Sequence, residues 1–184
     1  MGLDMYLNRK TYVKNWAHHQ EDERHEVTVK RGGQVREDIK PSRVTYITEE
    51  VAYWRKANAI HRWFVETCQN GEDDCREAYV TIAQVRDLVT VCKQVLSTVE
   101  TVDGVINNGT THYPDGTVVQ NELPGQVVAQ KAIAEKLLPS RGGFFFGNTD
   151  YDEYYLSDLK RTVELLEPLL AEDSDGSLYY HSSW

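Results

Sequence analysis

The sequence predicts an α+β domain, a small and mostly antiparallel sheet packed by about four helices. Three observations predict it. Short segments with two-residue apolar alternation are spread along the whole 184-residue chain. Between them lie segments whose apolar residues recur every three to four positions. The two kinds do not alternate regularly, and no Gly-rich strand-to-helix turn is present, so a doubly wound parallel sheet is the weaker alternative.

Taken in order, Leu3, Met5 and Leu7 share one face of a half-buried strand, with Asp4 and Tyr6 on the other. Residues 15–26, NWAHHQEDERHE, are polar and read as a loop. Glu26–Arg31 alternates again and stops at the Gly32-Gly33 turn, and Arg43–Ile47 gives another short strand beyond Pro41. Thr48, followed by Glu49 and Glu50, has the character of a helix start, with acids in the first turn. That reading predicts a helix to about Cys68 with Tyr53, Ala57, Ile60 and Phe64 on its buried stripe.

A strand over Glu77–Val80 comes next. Thr81 and Gln84 have capping-box spacing, and Ile82, Val85, Val89, Cys92 and Leu96 follow at helical intervals to about Val99. Residues 103–125 are rich in Gly, Asn and Thr around Pro114-Asp115-Gly116, which is a hairpin or a long loop. Gln126–Leu138 reads as a third helix stopped by Pro139, and Phe144–Phe146 as a short buried strand. Asp150 and Glu153 have capping-box spacing ahead of a last helix carrying Tyr155, Leu159, Val163, Leu166 and Leu170. Residues 1–171 are therefore expected to form one domain, with 172–184, EDSDGSLYYHSSW, as an acidic and polar mobile tail.

Composition narrows the function. Lys plus Arg number 20 and Asp plus Glu 29, a net charge of −9. That balance argues against duplex nucleic acid as a partner, since phosphate neutralisation needs a basic surface. It leaves room for a small anionic ligand in a local pocket. No apolar run is long enough to span a membrane, and the opening residues lack a signal-peptide pattern. Cys68, Cys75 and Cys92 read as reduced thiols of a cytosolic protein, with a Cys68–Cys75 bridge as the alternative.

Nucleophile-elbow, phosphate-loop and dinucleotide motifs are absent, so no catalytic residue is assigned and no cofactor is expected. His18, His19, Glu21 and His25 crowd one polar loop without metal-ligand spacing, and no metal site is expected there. Two dense segments remain. In YWRKANAIHRWF, Trp54, Asn58 and His61 fall on one shoulder of the expected helix, with Arg55 further out. They combine an aromatic face, an amide and an imidazole, which suits a ligand. The alternative is that Asn58 and His61 satisfy buried backbone groups. In FFFGNTDYDEYY, Asn148 and Thr149 lie at a helix start, where free N–H groups can hold an anion, and Tyr151 could stack on a base. Asp150 would compete for those donors.

GLDMYL, YWRKANAIHRWF and GFFFGNTDYDEYYLSDLKRT together resemble a family of small proteins encoded by bacteriophages and some bacteria, one without an established activity. The resemblance implies an accessory protein at work in the host bacterial cytoplasm. The combined expectation is a binder of a small anionic or nucleotide-like ligand that sequesters a host immune signal. Its ligand residues would be Trp54, Arg55, Asn58, His61, Asn148, Thr149 and Tyr151. A nucleotide hydrolase or phosphodiesterase using His61, and an acidic inhibitor of a host protein, are the alternatives. Oligomeric state is left open.

Overall fold

The computed structural model describes residues 2–143 and 146–184. The expected α+β class holds: four helices pack with antiparallel sheets. The main sheet has four strands, β1 (Asp4–Tyr12), β4 (Tyr46–Arg55), β8 (Ser177–Ser183) and β5 (Ala78–Val80), in the order β4-β1-β8-β5. β2 (Lys30–Arg31) and β3 (Gln34–Val35) form a minimal hairpin, and β6 (Thr101–His112) and β7 (Val118–Val128) a long one. Gly32 and Gly33, at φ +56° and +84°, supply the paired left-handed residues that a two-residue hairpin turn requires.

One face of the main sheet is the core. Leu3, Met5, Leu7, Trp54, Leu178 and Tyr180 point inward and are almost fully buried. They are covered by α1 (Asn58–Cys68), α2 (Ile82–Thr98) and α4 (Glu153–Leu166), which supply Ile60, Phe64, Val85, Leu88, Leu159 and Leu166. The opposite face is clad by its own rings. Tyr6 stacks on His181 at 4.8 Å and meets Tyr53 at 5.3 Å, cross-strand pairs of the kind that stabilise a sheet.

α2 begins as its capping box predicts, with Gln84 N–H donating to Thr81 Oγ1 at 3.2 Å and Thr81 N–H to Gln84 Oε1 at 2.8 Å. Other boundaries differ from the sequence reading. Thr48 does not start a helix; the strand runs on to Arg55 and α1 starts at Asn58. A bulge explains why the alternation was hidden. Ala52 pairs with Leu7 but Glu50 pairs with Asn8, so Val51 is an extra residue and the inward phase slips by one. Ala57, Ile60 and Phe64 are core as expected, while Tyr53 lies on the outer sheet face. The expected helix over 126–138 shortens to α3 (Ala132–Leu137), because Gln126–Val128 pair with Thr101–Asp103 in the β6–β7 hairpin. Only Lys30 and Arg31 of the expected 26–31 strand are paired. Phe144 and Phe145 lie outside the described residues, and Phe146 is buried but not in a strand.

The expected mobile tail is also corrected. Residues 177–183 form an interior strand, hydrogen-bonded to β1 on one side and β5 on the other. Leu178, Tyr180 and Ser182 alternate inward, a two-residue period inside a polar composition. All three cysteines are free, and burial pushes the Cys68 and Cys92 thiols up to about 12. No helix among the described residues is long and apolar enough to cross a membrane.

Candidate functional site

The seven residues singled out by sequence divide between two environments. Trp54, His61 and Tyr151 are in the core. Trp54 is 1% exposed and its indole N–H donates to Thr162 Oγ1 at 2.9 Å. Tyr151 Oη accepts from the Ser140 N–H at 3.1 Å and the ring packs edge-on to Tyr155. Neither ring is free to stack on a ligand.

His61 is wholly buried in a polar knot. Its Nε2–H donates to Asp73 Oδ2 at 2.9 Å, and Nδ1 accepts from the Tyr180 hydroxyl at 2.7 Å. Burial pulls its pKa below the usual imidazole range, against the opposing pull of Asp73. A neutral ring with one donor and one acceptor fits this pair of partners. Trp184 closes the knot by donating its indole N–H to Asp73 Oδ1 at 3.1 Å, and the Tyr180 ring stacks on Phe64 at 4.0 Å. The alternative weighed for His61, a satisfied buried group, is the arrangement found. Asp73, Tyr180 and Trp184 were missed by sequence reasoning. The inward period of 178–182 was the signal that could have found Tyr180.

Arg55, Asn58 and Asn148 instead line a cavity of about 760 Å³. It lies between the β4–α1 junction, residues 107–112 of β6, the segment 147–150 and the first turns of α4. That volume is in the range of small-molecule sites, ~300–1,000 Å³. Thr149 is exposed beside it, with its carbonyl accepting from Ser140 Oγ at 2.8 Å.

The asparagines build the walls. Asn58 Nδ2–H donates to the carbonyls of Phe146 and Asn148 at 3.2 and 2.6 Å, and its Oδ1 accepts from the Arg141 N–H at 3.2 Å. Asn148 Nδ2–H reaches the Asn107 carbonyl at 3.1 Å, and its Oδ1 accepts from the Asp150 N–H at 3.2 Å. These amides bind α1, the 140s segment and the hairpin to one another, so they position the site more than they offer contacts.

The expected anion cradle at the start of the last helix is not there. Asp152, not Asp150, caps α4: its Oδ1 accepts from the Tyr154 and Tyr155 N–H groups at 2.9 and 3.1 Å. The helix start without a side-chain cap belongs to α1, where the Asn58 N–H turns back to the Lys56 carbonyl at 2.8 Å. Its N-cap is Ala57, which has no side chain to offer, and no acid lies in the first turn. Asn58 and Ala59 of that turn line the cavity, together with Arg55 and Lys56 just before it. Lys56 stands at φ +60°, a left-handed conformation unusual for a side chain of its size, and Gly147 at φ +85° packs beside its stem. Among the described residues Lys56 has no carboxylate within ion-pair range, and Arg55 has only Asp4, at 3.9 Å. The sequence offers Arg55 or Lys56 as the partner of a phosphate, and both line the cavity.

Of the described residues, no group of His, Cys, Asp and Glu has the arrangement of a metal site, the crowded His18–His25 loop included. No family model, curated protein or solved structure matches the chain.

Proposed function

We propose that the protein binds a small anionic, nucleotide-like ligand in the cavity at the start of α1. One observation carries the reading: an 11-residue helix with no side-chain cap opens onto a polar cavity lined by two cations, Arg55 and Lys56, neither of them ion-paired to the two carboxylates, Asp150 and Asp158, that also line it. Backbone N–H groups at a helix start and the helix dipole favour negative charge. Lys56 adds a point charge and Arg55 a planar fork suited to phosphate. The strain at Lys56 fits a residue held for a purpose other than stability.

The resemblance carried by the three sequence motifs implies a phage-type accessory role in the host cytoplasm, and sequestering a host signal nucleotide is a use that fits that context. Binding without turnover suits it better than hydrolysis, because His61, the residue on which a hydrolase would depend, is sealed from the cavity's contents by its own partners. The test is isothermal titration with AMP and with inorganic pyrophosphate, followed by mass spectrometry of the AMP released on heating. Micromolar binding, AMP returned unchanged, and a loss of about tenfold or more in Lys56→Ala and Arg55→Ala are expected. No binding of either probe at millimolar concentration overturns the reading.

A further inference from the structure

The cations occupy one part of the cavity and leave Asp158 unexplained. Asp158 lies on α4 and lines the cavity, only partly exposed. Among the described residues no donor is hydrogen-bonded to its carboxyl group. Its backbone is firmly placed: the carbonyl accepts from Thr162 Oγ1–H at 2.7 Å, and that hydroxyl accepts from the buried Trp54 indole at 2.9 Å. A carboxyl group on a rigid helix, half-withdrawn from water and without a partner, is costly unless something else uses it.

We propose that Asp158 reads the base of the bound nucleotide, its carboxylate accepting the paired N–H groups on one edge of guanine while the phosphate lies at the start of α1 between Arg55 and Lys56. This rests on the cavity being an anion site. The choice of guanine follows from hydrogen-bonding capacity. An ionised carboxylate only accepts, through two oxygens side by side. Guanine offers two adjacent donors, N1–H and the exocyclic amine. The pairing edges of adenine and cytosine set a ring acceptor beside their amine, which would face a carboxylate oxygen lone pair to lone pair. Uracil has one donor between two acceptors. Of the four asparagines that line the cavity, Asn58 and Asn148 are spent on the walls, and Asn107 and Asn108, whose side-chain oxygens accept from the Gly109 N–H and the Tyr154 hydroxyl, have only N–H groups left over, which suit the acceptors of a guanine.

The reading must weaken in acid. Burial and the nearby Asp152 push the Asp158 carboxyl up to about 7, with Arg161 opposing. Arg55 and Lys56 from the β4–α1 junction, Asp150 ahead of α4 and His112 from β6 also face the cavity. Once protonated, Asp158 presents one donor and one acceptor, which no longer matches guanine and does match adenine.

The experiment is isothermal titration of the full chain with GMP, IMP and AMP at about pH 8.5 and about pH 6. IMP keeps N1–H and lacks the exocyclic amine. All three carry the same phosphate, so affinity ratios cancel the titration of the phosphate. At the higher pH GMP should bind about tenfold tighter than IMP or AMP. The preference over AMP should shrink severalfold at the lower pH. Asp158→Asn should abolish both the preference and its pH dependence, with a cooperative urea transition reporting that the variant is folded. The wild-type pH comparison stands without that variant. Equal affinities at the higher pH, or a guanine preference that survives Asp158→Asn, overturn the assignment of Asp158 alone. Failure of all three nucleotides and of pyrophosphate to bind overturns this inference together with the anion-site reading.

Discussion

The helix α1 serves two polar regions that look alike in sequence and behave oppositely in structure. Asn58 and His61 are one turn apart. Around His61, donors and acceptors pair off: Tyr180 to His61, His61 to Asp73, Trp184 to Asp73. At the other end, Arg55, Lys56 and Asp158 face a cavity and go largely without partners. A polar network that satisfies itself contributes to stability and fixes one arrangement of the chain, whereas polar groups left unmatched cost stability and await a ligand. The difference lies in partnership, not in residue type. It implies that changes in the knot should destabilise the fold, and changes in the cavity should leave it intact or strengthen it.

The largest break in the comparison is removal of residues 177–184. It deletes an interior strand, Tyr180 and Trp184 together, and opens the edges of β1 and β5. The truncated chain should lose cooperative urea unfolding and expose its core to a hydrophobic dye. A shortened protein with a sharp unfolding transition would show that β8 is dispensable.

Next is His61→Ala, which strands the Tyr180 hydroxyl and one Asp73 oxygen in a buried setting and leaves a void. Stranded buried groups cost ~1–3 kcal/mol each, so a loss of about 3 kcal/mol is expected in urea unfolding. AMP affinity of the folded fraction should not change. A loss below about 1 kcal/mol would mean that the knot contributes little.

How far this division could be read from sequence depends on the element. The α+β class, the α2 capping box and the Ala57, Ile60 and Phe64 stripe were legible, because each rests on local spacing. The start of α1 was not. The bulge at Val51 breaks the alternation that would have marked β4, and Thr48-Glu49-Glu50 imitates a helix cap in its place. The last strand was hidden by composition: a sheet interior needs only one inward face, and Leu178, Tyr180 and Ser182 supply it while Asp173, Asp175 and the serines give the segment a polar look. For the candidate site, the YWRKANAIH segment divides between cavity and core. Trp54 and His61, expected to face a ligand, are core; Arg55 and Lys56, the expected partners of a phosphate, line the cavity. Which polar residues find partners is a tertiary fact, and Asp73 and Tyr180 are too far along the chain for spacing to connect them to His61.

Acidity should separate the two regions by sign. His61 has a lowered pKa in the folded state, so its contribution is present above the unfolded value of ~6.5 and is lost as pH falls through the folded one. Asp158 is raised to about 7, so its folded form binds a proton that the unfolded chain, at ~3.9, releases. Its cost is complete above about pH 7 and fades as pH falls toward 4. Asp158→Asn should therefore stabilise the protein by about 2 kcal/mol at pH 8, with the gain vanishing by about pH 4. Urea unfolding across that range checks it. A gain independent of pH would mean that the charge is not the cause.

The smallest expected effect is at Lys56, and it tests whether the cavity holds strain for its ligand. Lys56 has φ +60°, where a side chain crowds its own backbone, and its N–H donates to the Leu3 carbonyl at 2.8 Å, which fixes the chain in that turn. Glycine adopts the conformation freely but also loosens the unfolded chain, so the net gain from Lys56→Gly should be about 1 kcal/mol in urea unfolding. The same change removes the ammonium from the start of α1, so AMP and pyrophosphate affinity should fall about tenfold or more. Lys56→Ala keeps the strain while losing the charge; it should match the glycine variant in binding and show none of its gain in stability. If the two variants unfold at the same urea concentration, the left-handed turn is not strained, and the site is held open by Asn58 and Asn148 alone.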